Sequence, residues 1–322
     1  MKTFLTYLKI TALSIIISIY LFQIFLTFKY SGSLGQISKR VSLYESSTGK
    51  KYDRRTKYEV YNELKKKYDD VTVIMSPSFG LEYFEQQHLN DNLFPLSGFS
   101  NKKTINCNEN GYYSIFQSDR FGFNNPDTEW DSDDIEFLLV GDSFTIGSCV
   151  NRPHDIGSKL RQLSNKNVLN LGYVANGPLF QYATLREYLD TNVKKVLWLY
   201  YERNDLSNLQ SELKNEFLIN YLNDLNFTQN LKSKQDQINK LANRLLILQK
   251  ETKTKEDKFF FKLIKFIKIY NLRILIFPQS KINPQIPEKE FKKILKLVKE
   301  LTLKNNSELY FVYLPSYVRY LN

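Results

Sequence analysis

Ser143 stands two residues after the glycine that ends an apolar, β-forming run, in Phe137-Leu-Leu-Val-Gly-Asp-Ser-Phe-Thr-Ile-Gly147. A strand that stops this abruptly delivers a hydroxyl to the carboxyl edge of a parallel sheet, where open α/β folds place their chemistry. Two later segments follow apolar runs in the same way: Asn170-Leu-Gly-Tyr-Val-Ala-Asn-Gly-Pro178 and Tyr200-Tyr-Glu-Arg-Asn-Asp205. If their strands are adjacent, all three segments converge on one crevice. Attack on an ester by Ser143 would then create an oxyanion. Backbone N–H groups of the small-residue second segment, the Asn204 amide and the N–H of Ser143 are the donors available to meet it.

A serine nucleophile needs a general base, normally a histidine oriented by a carboxylate. The chain has two histidines, His88 and His154. His154 follows Ser143 by eleven residues and is expected at the start of the next helix, out of reach of the hydroxyl. His88 falls in an irregular stretch and reads as a surface or packing residue. Asp142 and Asp205 are expected to make turn and helix-start hydrogen bonds. Glu202 either tunes the site or pairs with Arg203 or a lysine. Two histidines exclude a His-rich metal centre, no carboxylate spacing proposes a metal, and no cofactor is expected. A nucleotide-binding α/β domain ranks last, because neither glycine-rich phosphate motif is present.

The elements that must position these residues are legible in the apolar runs. Residues 135–140, 168–171 and 196–201 are short apolar runs about one βαβ unit apart, with an amphipathic helix expected over 178–189. This predicts a parallel sheet with helical crossovers. Upstream, residues 56–134 read as an irregular lobe packed on the core, with a helix over 58–68, a short strand over 71–75 stopped by Pro77, and one convincing strand over 112–116. Downstream, residues 206–270 read as a helical insertion. Its last part, 259–270, sets lysines against Phe, Leu and Ile, which suits either a membrane surface or, the preferred expectation, a helix covering the sheet. A helix over 288–303 and a buried strand over 309–314 complete the pattern.

Composition narrows the setting. With 322 residues, 42% hydrophobic and 15% aromatic, the chain can build a sizeable core. The net charge of +11 comes from lysines interleaved with acidic residues, which argues against nucleic acid and for a basic exterior beside an anionic membrane. Residues 10–28 form an uncharged apolar run flanked by Lys9 and Lys29, long enough to cross a core of about 30 Å as a helix. No small-residue cleavage site follows it, so an uncleaved single-pass signal anchor over residues 1–30 is preferred to a cleaved signal peptide. Flanking charge does not decide its orientation. Residues 31–55 read as a polar linker. Cys107 and Cys149 are expected to form a disulfide tying lobe to core, the alternative being two separate buried thiols.

At this point the three segments resemble the SGNH (GDSL-like) hydrolase superfamily, in a membrane-anchored bacterial branch. Gly141-Asp-Ser-Phe144 matches its first motif, Asn170 to Pro178 its second, and Asn204-Asp205 its third. Ser118-Asp-Arg-Phe-Gly-Phe-Asn-Asn-Pro126 and Phe311-Val-Tyr-Leu-Pro-Ser316 also look like that branch. The resemblance implies a three-layer α/β/α, flavodoxin-like domain over 135–322 that hydrolyses or transfers acyl esters, acting outside the cytoplasm on acylated small molecules, lipids or polysaccharides. It makes Ser143 the nucleophile, Asn204 an oxyanion donor and Ala175 a backbone oxyanion donor. The chain departs from the family at Ala175, where Gly is usual, and at Glu202. It also lacks the late Asp-x-x-His motif that supplies the base. Truncation before that motif is the expectation, with a catalytically inactive binding module of the envelope as the alternative. The reading frame past Asn322 distinguishes them.

Overall fold

A computed structural model describes residues 2–30, 33–81, 93–257, 259–277 and 287–320. The chain divides into two compact units, Met1–Tyr52 with Gln249–Pro284, and Asp53–Leu248 with Gln285–Asn322.

The larger unit carries two sheets. In the lobe, β1 (Val71–Val73) pairs in parallel with β2 (Lys103–Ile105), which pairs antiparallel with β3 (Ile115–Gln117). β2 is not expected from the sequence: a three-residue Lys-Thr-Ile strand is too short to show alternation. Helix Lys57–Lys65 leads into β1 behind a capping box, in which Thr56 and Glu59 satisfy each other's backbone N–H groups.

The main sheet comprises β4 (Ile135–Gly141), β5 (Val168–Asn170), β6 (Val193–Tyr201) and β7 (Glu308–Leu314), in the order β5-β4-β6-β7 and parallel throughout. β4, which leads to Ser143, therefore lies between the strands that lead to the other two segments. Its inward residues Leu138 and Val140 are fully buried with Val196 and Trp198 of β6 in one core.

Several expectations are corrected. Helix Pro178–Tyr188 is not amphipathic but buried on nearly every side, Arg186 excepted. It behaves as a core helix rather than a surface one. β7 is not a buried strand: at the sheet edge it exposes Tyr310, Phe311 and Tyr313. The expected linker contains helix Ser33–Thr48, in which Leu34, Ile37, Val41 and Tyr44 recur at helical spacing. The 259–270 stretch belongs to the other unit, not to the one that carries the sheet. It forms helix Phe259–Ile267, followed by helix Tyr270–Ile276, in the same unit as the N-terminal helix Lys2–Tyr30. That N-terminal helix holds a 27-residue stretch, Thr3–Lys29, long and apolar enough to cross a membrane. Cys107 and Cys149 form a disulfide joining the lobe to the segment that follows Ser143.

Candidate active site

Gly141 ends β4, and helix Ser143–Ile146 begins two residues later, with Asp142 as its N-cap. An Asp side chain at that position accepts an otherwise unpaired backbone donor, and Asp142 Oδ1 takes the N–H of Phe144 at 2.9 Å. The Ser143 side chain is half-buried at the head of this turn. Beside it the exposed Phe144 ring packs on Tyr201, at 4.5 Å between centroids.

The second segment is clasped against the first. Tyr173 N–H donates to the Gly141 carbonyl at 3.1 Å, and Asn170 Nδ2 donates to the Thr145 carbonyl at 2.5 Å. A Cβ at Gly172 would collide with Thr145, which is why the segment needs glycine at that position. Ala175 adopts a left-handed backbone with φ of 59°. An L-residue with a Cβ pays about 1 kcal/mol or more for that conformation, so Ala175 carries backbone strain here.

The third segment reaches the first through its amide. Asn204 Nδ2 donates to Asp142 Oδ2 at 3.3 Å, leaving its second amide hydrogen for another acceptor. Asp205 is fully buried and accepts the Tyr201 N–H at 2.9 Å. Burial, reinforced by the nearby Asp142 charge, raises the Asp205 pKa to about 8. Burial also raises that of Asp142, against the hydrogen bonds from Phe144 N–H and Asn204. The Asp142 charge thus opposes ionisation of Asp205.

Two buried carboxylates that the sequence did not single out brace the site. Glu212 accepts the N–H groups of Gly177 at 2.5 Å and Leu179 at 2.9 Å, fixing the second segment where it enters helix Pro178–Tyr188. Asp119 accepts from Phe121 and Phe123 N–H, Asn125 Nδ2 and Trp130 Nε1 at 2.8–2.9 Å, and burial raises its pKa to about 6. The Asn pair beside Asp119 extends to the site: Asn124 Nδ2 donates to the Ile146 carbonyl at 2.8 Å, and Asn125 exchanges hydrogen bonds with the backbone of Asn170 at 2.8 and 3.0 Å. The 118–126 phrase therefore holds the first two segments together. Glu212 was not legible as a brace, because the N–H groups it accepts lie 35 and 33 residues away in sequence.

Among the described residues, Glu202 pairs neither with Arg203 nor with a lysine. It accepts the Ser316 N–H at 2.9 Å and a bidentate contact from Arg319, and these donors hold its pKa down to about 2. A pocket of about 230 Å³ opens beside Ala175, lined by Ser78, Leu81, Asn208, Ser211 and Glu212. The buried Nδ2 of Asn208 has no protein acceptor there.

His154 is exposed in the turn before helix Ile156–Ser164, and no interaction joins it to Ser143. His88 lies outside the described residues. Among the described residues, no group of three His, Cys, Asp or Glu side chains is placed to hold a metal ion. Comparison with protein families, curated proteins and solved structures finds no match to this chain.

Proposed function

We propose that the chain is an SGNH-type serine esterase or O-acyltransferase, built as a three-layer flavodoxin-like domain and held to the membrane by its N-terminal helix. The observation that carries this reading is the order β5-β4-β6, which brings Ser143, Ala175 and Asn204 to neighbouring strand ends. The hydrogen bonds from Asn204 to Asp142 and from Tyr173 to Gly141 then lock the three segments together.

In the proposed reaction Ser143 Oγ attacks the acyl carbonyl carbon, and its proton passes to a general base, not identified among the described residues, that then returns it to the departing alcohol oxygen. The carbonyl π electrons move to oxygen, where the N–H groups of Ser143 and Ala175 and the free amide hydrogen of Asn204 stabilise the charge. Collapse breaks the bond to the alcohol and leaves an acyl-serine. Water then completes hydrolysis, or a second hydroxyl completes transfer. Acyl, chiefly acetyl, esters of envelope glycans or lipids suit a membrane-tethered site. The Cys107–Cys149 disulfide supports an oxidising, extracytoplasmic setting such as the periplasm. Turnover of p-nitrophenyl acetate by full-length protein in its native membranes, lost in Ser143→Ala, tests this; equal turnover by that variant would sink it.

A second reading rests on His154, which is exposed and apart from Ser143. Without a base the same fold would serve as an envelope glycan- or partner-binding module. Binding of acetylated polysaccharide by Ser143→Ala protein, with no turnover by either form, would favour it.

A further inference from the structure

Helices Phe259–Ile267 and Tyr270–Ile276 are separated by a break at Ile269, whose φ of 44° and ψ of 44° are left-handed. A break exposes backbone groups that the helices cannot satisfy themselves. Here side chains of helix Lys2–Tyr30 satisfy them. Tyr20 Oη donates to the Ile267 carbonyl at 3.1 Å, and Gln23 Oε1 accepts the Leu272 N–H at 3.0 Å. Asn271 Nδ2 adds a bond to Thr27 Oγ1 at 3.0 Å, and the rings of Tyr20 and Phe266 lie 5.6 Å apart. Gln23 is only 1% exposed, so a polar side chain inside the apolar stretch has been matched to a specific acceptor-seeking N–H.

In water such a break needs no partner, because solvent supplies one. In hydrocarbon every backbone group must be satisfied by protein, and breaks survive only where neighbouring helices do so. The polar partners occupy positions 20–27 of the apolar run. Tyr20 is nine residues before Lys29, about 14 Å along a helix, roughly half the depth of a hydrocarbon core of about 30 Å. The outer surface of the pair is rich in apolar side chains: Phe260 is 69% exposed and Ile276 58%, with Ile267, Ile274, Leu275 and Phe277 exposed beside them. Lys265, Lys268 and Arg273 are also exposed on the pair, and their apolar stems can lie along hydrocarbon while the charged ends turn toward the interface. Helices of nine and seven residues are too short to cross the core.

We infer that residues 259–277 form a re-entrant hairpin that docks on the N-terminal helix and buries its apolar face among lipid acyl chains, in the half of the bilayer nearest Lys29. This rests on the reading of helix Lys2–Tyr30 as a membrane span. The insertion between β6 and β7 is then a second membrane contact, returning the chain to the bilayer partway through the catalytic unit.

The two native cysteines are paired, so one introduced cysteine can carry a fluorophore on the full-length protein. The four positions are Ile17 in the N-terminal helix, Phe260 and Ile276 in the hairpin, and exposed Leu163 in the other unit. The reconstituted protein is compared in phosphatidylcholine–phosphatidylglycerol vesicles with and without brominated acyl chains. Labels at Ile17→Cys, Phe260→Cys and Ile276→Cys are expected to lose most of their emission to the brominated lipid, and the label at Leu163→Cys to keep it. Quenching at Ile17 with none at Phe260 and Ile276, and with both open to aqueous iodide, would overturn the hairpin and leave the span intact. No lipid quenching at Ile17 would overturn the span and the hairpin together.

Discussion

The amide of Asn204 donates to the carboxyl of Asp142 at 3.3 Å, joining the end of β6 to the turn that presents Ser143. Sixty-two residues separate the pair in sequence, and parallel pairing of β4 with β6 brings them together. The bond fixes the plane of the Asn204 amide and so aims its remaining hydrogen.

Asn204→Ala should therefore lower kcat by about 10²–10³-fold, the usual cost of removing one oxyanion donor. Asp142→Asn should lower kcat by a smaller factor with KM little changed, because Asn204 stays but is no longer oriented by an acceptor carboxylate. Steady-state ester hydrolysis by the two variants, with circular dichroism to confirm folding, checks both.

Ala175 holds a left-handed backbone that glycine adopts freely. Ala175→Gly should stabilise the protein by about 1 kcal/mol, a rise in Tm of about 2–4 °C. Ala175→Val should lower Tm, since a β-branched side chain fits that region worse still. Thermal unfolding of the three proteins side by side checks the opposite signs.

Asp205 gives the fold a pH dependence with a definite sign. Its folded pKa, about 8, lies above the ordinary value of 3.8, so between the two the folded state holds a proton that the unfolded state has released. Its contribution to stability is full at acid pH and is lost as pH rises through about 8. Asp205→Asn should flatten the fall in urea midpoint between about pH 5 and about pH 8. An unchanged slope in that variant would assign the dependence to another group.

The Cys107–Cys149 disulfide spans 42 residues of sequence. Constraint of a loop that long is worth about 4 kcal/mol. Replacing both cysteines by serine should lower the denaturant midpoint accordingly, and dithiothreitol should lower that of the wild-type protein but not of the double variant.

The main sheet was legible because β4, β5 and β6 are apolar runs that stop at small or polar residues, each one crossover apart. Ser143 and Asn204 were singled out for the same reason, since local sequence announces a strand end, whereas Ala175 was assigned only through the family resemblance. What stayed hidden depends on partners distant in the chain. Glu202 found Arg319 rather than its neighbour Arg203, and Glu212 acquired its role only when the backbone donors of another segment folded around it. Periodicity also misled where surroundings decide. Residues 178–189 were expected to be amphipathic, yet Gln181 is buried and hydrogen-bonded to the Asn176 carbonyl and to Trp198 Nε1. The 259–270 stretch was read as a cover for the sheet because its lysines repeat at helical spacing, which does not say which apolar surface the other face will meet.

The central claim is that Ser143 is a nucleophile, and covalent labelling tests it most directly. Native membranes bearing the full-length protein are treated with a fluorophosphonate, and the modified peptide is mapped by mass spectrometry. The account predicts one adduct, on Ser143, absent in Ser143→Ala and slowed in Asn204→Ala. A folded protein that takes no adduct, or takes it on another serine, would contradict the account.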